Sequence, residues 1–200
     1  MMRTPAHTIK RHGPRCALWL ATALPLGVGL SACNGDSERA PIQPVAQVDL
    51  PRYMGDWYVI ASIPSFVERQ AVDAVESYER RPDGKVQTTF RYRNGSHEAE
   101  LQTMRPVGTV KPDTHNAVWG MQFIWPIQAE YLIAYLDKDY QQTIVARNAR
   151  DYVWLMARTP TISEADYQAN LTRIQAMGYD IGKLRKVPQQ AASASQSSPP

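Results

Sequence analysis

Eight short runs of strand-forming residues, each ended by a turn signal, constrain the fold of this chain more than any other feature. The turns are rich in glycine, proline, asparagine and aspartate, as in Arg81-Pro82-Asp83-Gly84, where proline presets φ and glycine accepts a positive φ. The predicted strands cover residues 53–63, 74–79, 85–93, 98–110, 117–124, 130–136, 142–147 and 152–158. Short connections favour antiparallel neighbours, and eight such strands lose their edges by closing. The sequence therefore predicts an all-β, eight-stranded antiparallel up-and-down barrel.

One amphipathic helix is predicted after the last strand. Ser163 is suited to cap its N-terminus, and Gly178 is suited to end it in the left-handed conformation. Between them Tyr167, Leu171 and Ile174 recur at helical spacing and form one apolar stripe. The first and last strands are apolar on both faces, so we expect the helix to pack outside the barrel over these two strands.

The N-terminus has the pattern of a secretory signal peptide. Residues 1–15 contain four basic residues and no acid, and an apolar run follows up to Leu30-Ser31-Ala32-Cys33. A transmembrane span needs about 20 apolar residues, whereas this run is shorter and is interrupted by Pro25. Leu30-Ser31-Ala32-Cys33 resembles the bacterial lipobox, which implies removal of residues 1–32 and acylation of Cys33, with palmitate among the attached chains. Two or more acyl chains anchor a protein stably to a membrane.

Composition excludes several classes of function. The leader holds four of the 22 basic residues, which leaves the rest of the chain with a net charge of −1 and no basic stripe for nucleic acid. Cys16 and Cys33 are the only cysteines, so the domain has neither a disulfide nor a thiol nucleophile. His97 and His115 are isolated, and no zinc, phosphate-loop or serine-hydrolase motif occurs. We expect no metal and no cofactor.

Three short motifs in the order of the strands resemble those of the lipocalin family. They are Gly55-Asp56-Trp57, then Asp137-Lys138-Asp139-Tyr140, then Arg158 at the end of the eighth strand. The resemblance is to the bacterial outer-membrane, apolipoprotein D-like lipocalins. It implies that Gly55, Trp57 and Arg158 are structural, with the tryptophan closing the narrow end of the barrel and the arginine lying over its ring. Residues 94–128 match the family pattern poorly.

The composition along the chain and the resemblance together predict four segments. They are a signal peptide at 1–32, a lipidated N-terminus and flexible spacer at 33–47, the lipocalin domain at 48–188, and a disordered tail at 189–200. An outer-membrane location facing the periplasm is expected, with Cys33 as the lipid anchor. A homodimer is left open.

The expected function is binding of a fatty acid, lysophospholipid or similar amphiphile, for storage or transport of envelope lipid, and not catalysis. Trp154 and Met156 share the face of Arg158, and the resemblance adds further inward positions. The expected ligand contacts are Tyr131, Ile133, Tyr135, Ile144, Trp154 and Met156.

Two alternatives remain. A lipocalin-fold enzyme acting on a lipophilic substrate would need a titratable cluster deep in the barrel. An interaction module would have a barrel filled by its own side chains.

Overall fold

The computed structural model describes residues 39–190. The predicted signal peptide, Cys33 and residues 191–200 of the predicted tail lie outside the described residues.

The chain forms the predicted barrel, with one helix packed against its outer face. The strands are β1 Gly55–Ile63, β2 Ala71–Arg80, β3 Val86–Asn94, β4 Leu101–Met104, β5 Val107–Val110, β6 Val118–Ile124, β7 Ile127–Leu136, β8 Gln142–Ala146, β9 Val153–Ala157 and β10 Arg185–Lys186; the helices are α1 Leu50–Tyr53 and α2 Glu164–Ala176. All pairings are antiparallel, in the order β1-β2-β3-β5-β6-β7-β8-β9, and β9 pairs back onto β1. Counting β4 and β5 as one interrupted strand gives eight strands, and the two-residue β10 lies beside the end of β1.

The predicted strand 98–110 is two strands, and this prediction was wrong in detail. Pro106 interrupts the run because proline has no N–H to donate to a ladder. β5 pairs with both β3 and β6, whereas β4 pairs with β3 alone among the described residues. Among the described residues no backbone ladder therefore joins β4 to β6, which leaves a gap between these two strands in the barrel wall.

Three further boundaries differ from the prediction. Tyr53 belongs to α1, whose N-cap Asp49 accepts a hydrogen bond from Arg52 N, and is not the first residue of a strand. The described part of the predicted spacer, residues 39–47, lies against the barrel: Ile42 is buried, and Val45 N donates to Ile133 O at 2.9 Å. At the other end, Gln189 Nε2 donates to the carbonyls of Val59 and Ala74, so the predicted tail begins later than residue 189.

Helix α2 has the predicted caps and the predicted position. Ser163 Oγ accepts from Asp166 N, and Gly178 has φ +88°, with the paired hydrogen bonds of a Schellman ending. Tyr167 and Ile174 are buried against the outer face of β1, β7, β8 and β9. Asn170 is also buried there, and its amide donates to Gln142 Oε1 at 2.7 Å.

The antiparallel order fixes two ends of the barrel. The open end carries the loops after β1, β3, β6 and β8, at residues 64–70, 95–100, 125–126 and 147–152; the closed end carries the others. Within residues 39–190, every strand and helix lies between Leu50 and Lys186, and both hydrophobic clusters lie between Ile42 and Val187. A chain from Asn34 to Pro200 therefore contains all of these elements. No helix within residues 39–190 is long and apolar enough to cross a bilayer.

Candidate ligand-binding site

Trp57 and Arg158 close the narrow end of the barrel. Trp57 is fully buried, and its Nε1 donates to Tyr53 O at 2.8 Å. The Arg158 guanidinium lies 3.8 Å from the centre of the Trp57 ring system, a cation–π arrangement. Gly55 has φ +90°, and a Cβ there would lie 3.5 Å from the arginine Nη1. That distance is an ordinary van der Waals contact, so it is the left-handed φ that calls for glycine at this position.

An aromatic plug fills the lower half of the lumen above this closure. Its members are Tyr53, Trp57, Tyr78, Trp119 and Tyr131, and neighbouring ring centres lie 5.0 to 6.3 Å apart. Hydroxyl groups join the plug, with Tyr78 Oη 2.7 Å from Tyr131 Oη and Tyr53 Oη 3.2 Å from Tyr131 Oη. Burial raises the pKa of all three tyrosines, which keeps them neutral. The lumen is therefore solid at this level.

A cavity of about 370 Å³ occupies the upper half and opens between the loops. Most of its wall is apolar. The main apolar contributors are Phe66, Phe90, Met104, Met121, Phe123 and Trp154, with the ring of Tyr131 as part of the floor. Met104 and Phe123 come from strands on the two sides of the incomplete ladder, β4 and β6, so the cavity reaches that gap. The volume lies near the low end of the range for small-molecule pockets, which is about 300–1,000 Å³.

Glu76 of β2 brings a half-buried carboxyl to the cavity wall. Tyr78 Oη donates a hydrogen bond to this carboxyl. Burial raises the pKa of Glu76 to about 7, the tyrosine hydrogen bond lowers it in part, and the charge of Glu68 raises it further. The cavity wall thus contains a carboxyl that is protonated, and therefore uncharged, below pH 7 and that ionises near physiological pH.

Two polar groups stand nearer the mouth. The carboxyl of Glu68 accepts from Trp154 Nε1 at 2.9 Å, and burial raises its pKa, although this hydrogen bond opposes the shift. Arg147 pairs with Asp151 at 3.1 Å, and its buried Nε has no hydrogen-bond partner among the described residues. Arg147 therefore brings a cationic side chain to the cavity wall.

Four of the six predicted ligand contacts face the lumen. Tyr131 and Trp154 line the cavity itself. Ile133 and Met156 are fully buried in the lumen cluster and are not part of the cavity wall.

The structure places Tyr135 and Ile144 outside the lumen, and for these two the assignment of the face was wrong. The register of β7 against β8 shifts between Ile133 and Tyr135, and this irregularity turns Tyr135 outward, where Arg173 of α2 lies 4.2 Å from its ring centre. Ile144 is opposite Tyr135 in the ladder and packs in the cluster under the helix. On β8 it is Thr143 and Val145 that face inward.

The sequence analysis did not identify Glu76 or Arg147 as site residues. A signal for Glu76 exists: it alternates with Ala74 and Tyr78, two buried lumen residues, at the period of a strand. Arg147 follows the last residue of β8, and nothing in its local sequence separates it from a solvated loop arginine. Within residues 39–190 no cluster of histidine, cysteine or acidic residues has the arrangement of a metal site.

Comparison with known proteins gives one consistent result. A family described as a lipocalin-like domain matches residues 48–189. The temperature-induced lipocalin-1 of Arabidopsis thaliana is 30% identical over 165 residues, covering 76% of this chain and 86% of the relative. The outer membrane lipoprotein Blc of Citrobacter freundii is 30% identical over 162 residues, covering 80% and 90%. Insecticyanin from the tobacco hornworm Manduca sexta has a similar fold, with a TM-score of 0.58 at 15% identity over 73% of this chain and 83% of its own.

Proposed function

Because this chain belongs to the lipocalin family, whose members bind hydrophobic ligands, we propose that its barrel binds one single-chain amphiphile, a fatty acid or a lysophospholipid. The observation that carries the proposal is the apolar cavity above the aromatic plug. The ligand would be stored or carried at the bacterial envelope.

The cavity size favours one acyl chain. The aromatic plug stops the ligand halfway down the barrel, so the available depth is that of the upper half alone. A volume of about 370 Å³ suits one hydrocarbon chain better than the two chains of a phospholipid.

The polar head of the ligand would lie at the mouth, near Arg147. The side chain of Arg147 lines the cavity, and guanidinium groups bind carboxylate and phosphate well. Glu76 lies deeper, where a neutral carboxyl can contact an acyl chain and an ionised one would oppose it.

Filling the cavity tests the proposal. Ala129 lies on the cavity wall, so Ala129→Trp should weaken binding of the fluorescent fatty acid cis-parinaric acid at least about tenfold by excluding the chain. The measurement is fluorescence titration of the Asn34–Pro200 protein, which we expect to bind at micromolar concentration or below.

The matched control adds the same side chain to the other face of the same strand. Gln128 is exposed and outside the cavity, so Gln128→Trp should bind like the parent protein. No saturable binding by the parent, or equal binding by Ala129→Trp with retained thermal unfolding, would refute the proposal.

Glu76 favours a second candidate, an enzyme acting on a lipophilic substrate. A carboxyl with a pKa of about 7 in an apolar cavity, joined to tyrosine hydroxyls, is the type of group that general acid–base catalysis uses. Conversion of a bound lipid by the parent protein, lost in Glu76→Gln with ligand affinity retained, would establish catalysis. Unchanged ligand recovered from both proteins would leave binding as the function.

We propose in addition that acylated Cys33 anchors the protein to the outer membrane, facing the periplasm. Support comes from the Leu30–Cys33 motif and from the outer membrane lipoproteins among the relatives. The full chain expressed in a Gram-negative bacterium should incorporate labelled palmitate and fractionate with outer membranes. Cys33→Ser should incorporate none, and labelling of that variant would place the anchor elsewhere.

A further inference from the structure

The open end of the barrel exposes nearly all the large apolar side chains that face solvent in residues 39–190. They are Phe66, Val67, Leu101, Phe123, Ile124, Trp125 and Ile127, and every one is at the start or end of a strand or in a loop at this end. The four most exposed are Phe66 at 76%, Ile124 at 73%, Trp125 at 82% and Ile127 at 71%. We call these four the apolar rim. Large exposed apolar side chains gathered at one end of a domain mark an interaction site.

The apolar rim is continuous with the cavity. Phe66 and Val67 precede Glu68 in the 3-10 turn after β1, and all three line the cavity as well as its edge. Phe123, which directly precedes Ile124 in the sequence, also lines both the cavity and its edge. An apolar molecule leaving the cavity would therefore meet more apolar surface before it met water.

The charges around the open end are balanced. Its four loops contain three arginines and four acids, namely Arg69, Arg147 and Arg150 with Glu68, Glu98, Glu100 and Asp151. The hairpin tip at residues 124–127 contains no charge at all. Attraction to this end would therefore depend on burial of apolar side chains and little on the charge of the partner.

The chain toward the N-terminus leaves the barrel at the same end. Arg150 Nη2 donates to Ala40 O at 2.6 Å and Ile42 N donates to Asn148 Oδ1 at 2.7 Å, which fixes residues 40–42 against the loop after β8. Five residues lie between Cys33 and Arg39, so the distance between these two residues is at most about 22 Å. A membrane anchor on Cys33 would hold the open end, and not the closed end, near the bilayer.

We propose that the apolar rim inserts into the interfacial region of a phospholipid bilayer, so that the barrel docks with its cavity facing the lipid. Tryptophan, phenylalanine and isoleucine beside a balanced set of charges suit that region, where side chains with an apolar body are favoured. The short N-terminal connection favours a bilayer over a second copy of the chain as the occupant. This inference goes beyond the proposed ligand binding, because docking of the rim does not require an occupied cavity.

The test uses the Asn34–Pro200 protein, which carries no anchor, and vesicles of uncharged phosphatidylcholine. We expect the protein to bind these vesicles, with a blue shift of tryptophan emission, since Trp125 is exposed whereas Trp57 and Trp119 are fully buried. Trp125→Glu should weaken the vesicle partition about tenfold or more, and Trp125→Phe should largely preserve it. Raising the salt concentration should change the partition of the parent protein less than twofold.

The matched control changes the net charge by the same amount at the closed end of the barrel. Lys85 is exposed in the closed-end turn after β2, and Lys85→Gln lowers the net charge by one unit, as Trp125→Glu does. We expect Lys85→Gln to bind vesicles like the parent. Ala129→Trp should also dock normally, which separates failure of docking from failure of ligand binding.

Three outcomes would overturn the inference. They are no binding of the parent to vesicles, equal binding by Trp125→Glu, and equal loss by Lys85→Gln. A dimer in size-exclusion chromatography that Trp125→Glu converts to a monomer, without vesicle binding by the parent, would instead assign the apolar rim to an interface between copies.

Discussion

Replacing Arg158 with alanine should lower the free energy of unfolding by about 3 kcal/mol, measured by urea denaturation of the Asn34–Pro200 protein. The guanidinium lies over the ring of Trp57, a contact worth about 0.5–2 kcal/mol. It also donates to four main-chain carbonyls, those of Arg52, Tyr53, Asp56 and Tyr140. These bonds join the chain before β1 to the end of β9, so their loss opens the closure of the barrel.

A lysine at this position separates charge from geometry. Arg158→Lys retains the cation but cannot present a planar fork to several carbonyls, so we expect about half of the alanine effect. Arg81 at the same end forms an exposed ion pair with Asp83, and Arg81→Ala should cost less than about 0.5 kcal/mol. A loss below about 1 kcal/mol in Arg158→Ala would show that the closed end is held by the aromatic plug alone.

The fold was predictable because its signals are local. Turn residues at Pro82–Gly84, the cap at Ser163 and the left-handed Gly178 each act within a few residues, and strand periodicity extends over ten residues at most. The error in the predicted strand 98–110 arose because one residue interrupts a longer pattern. Pro106 divides a run whose apolar pattern continues through it.

The face of each strand residue was harder to predict than the strand itself. β8 is apolar on both faces because the lumen lies on one side and α2 on the other, so its sequence does not distinguish Ile144 from Val145. The irregularity after Ile133 depends on how β7 meets β8, and no local sequence pattern records it. Site residues on doubly buried strands therefore require the three-dimensional register.

The lumen combines a filled part and a hollow part, which were predicted as alternatives. The lower half is filled by the aromatic plug, as an interaction module would be, and the upper half is hollow, as a binding protein requires. Tyr131 belongs to both, since its hydroxyl joins the plug and its ring forms part of the cavity floor. The plug stabilises the barrel while it limits the length of ligand that fits.

Glu76 should make the stability of the protein fall as the pH rises from about 4.5 to 7. In the unfolded chain its carboxyl ionises near the ordinary value of 4.5, whereas burial raises the pKa in the fold to about 7. Between these values the folded state binds more protons than the unfolded state, so each step upward in pH favours unfolding. The full effect is about 3 kcal/mol, reached above pH 7 and absent below pH 4.5.

The variant Glu76→Gln removes this dependence while keeping the size and neutrality of the protonated side chain. At pH 4 the unfolding free energies of parent and variant should be similar, and by pH 8 the variant should be more stable by about 3 kcal/mol. All other titratable groups are common to the two proteins, so the difference between the two curves isolates Glu76. Glu68, whose pKa is also raised by burial, contributes with the same sign to both curves.

An exposed acid on the same strand provides the control for this experiment. Glu79 is exposed on β2, and Glu79→Gln, the same change on the surface, should alter the free energy of unfolding by less than about 0.5 kcal/mol. The affinity for cis-parinaric acid should follow the same titration, because ionised Glu76 places a charge beside the acyl chain. We expect the parent to bind the fatty acid more weakly at pH 8 than at pH 6, whereas Glu76→Gln should lose less affinity over that interval.

If the unfolding free energies of the parent and Glu76→Gln run parallel from pH 4 to 8, the carboxyl ionises in the fold as it does in water, and its position in a dry cavity wall is refuted.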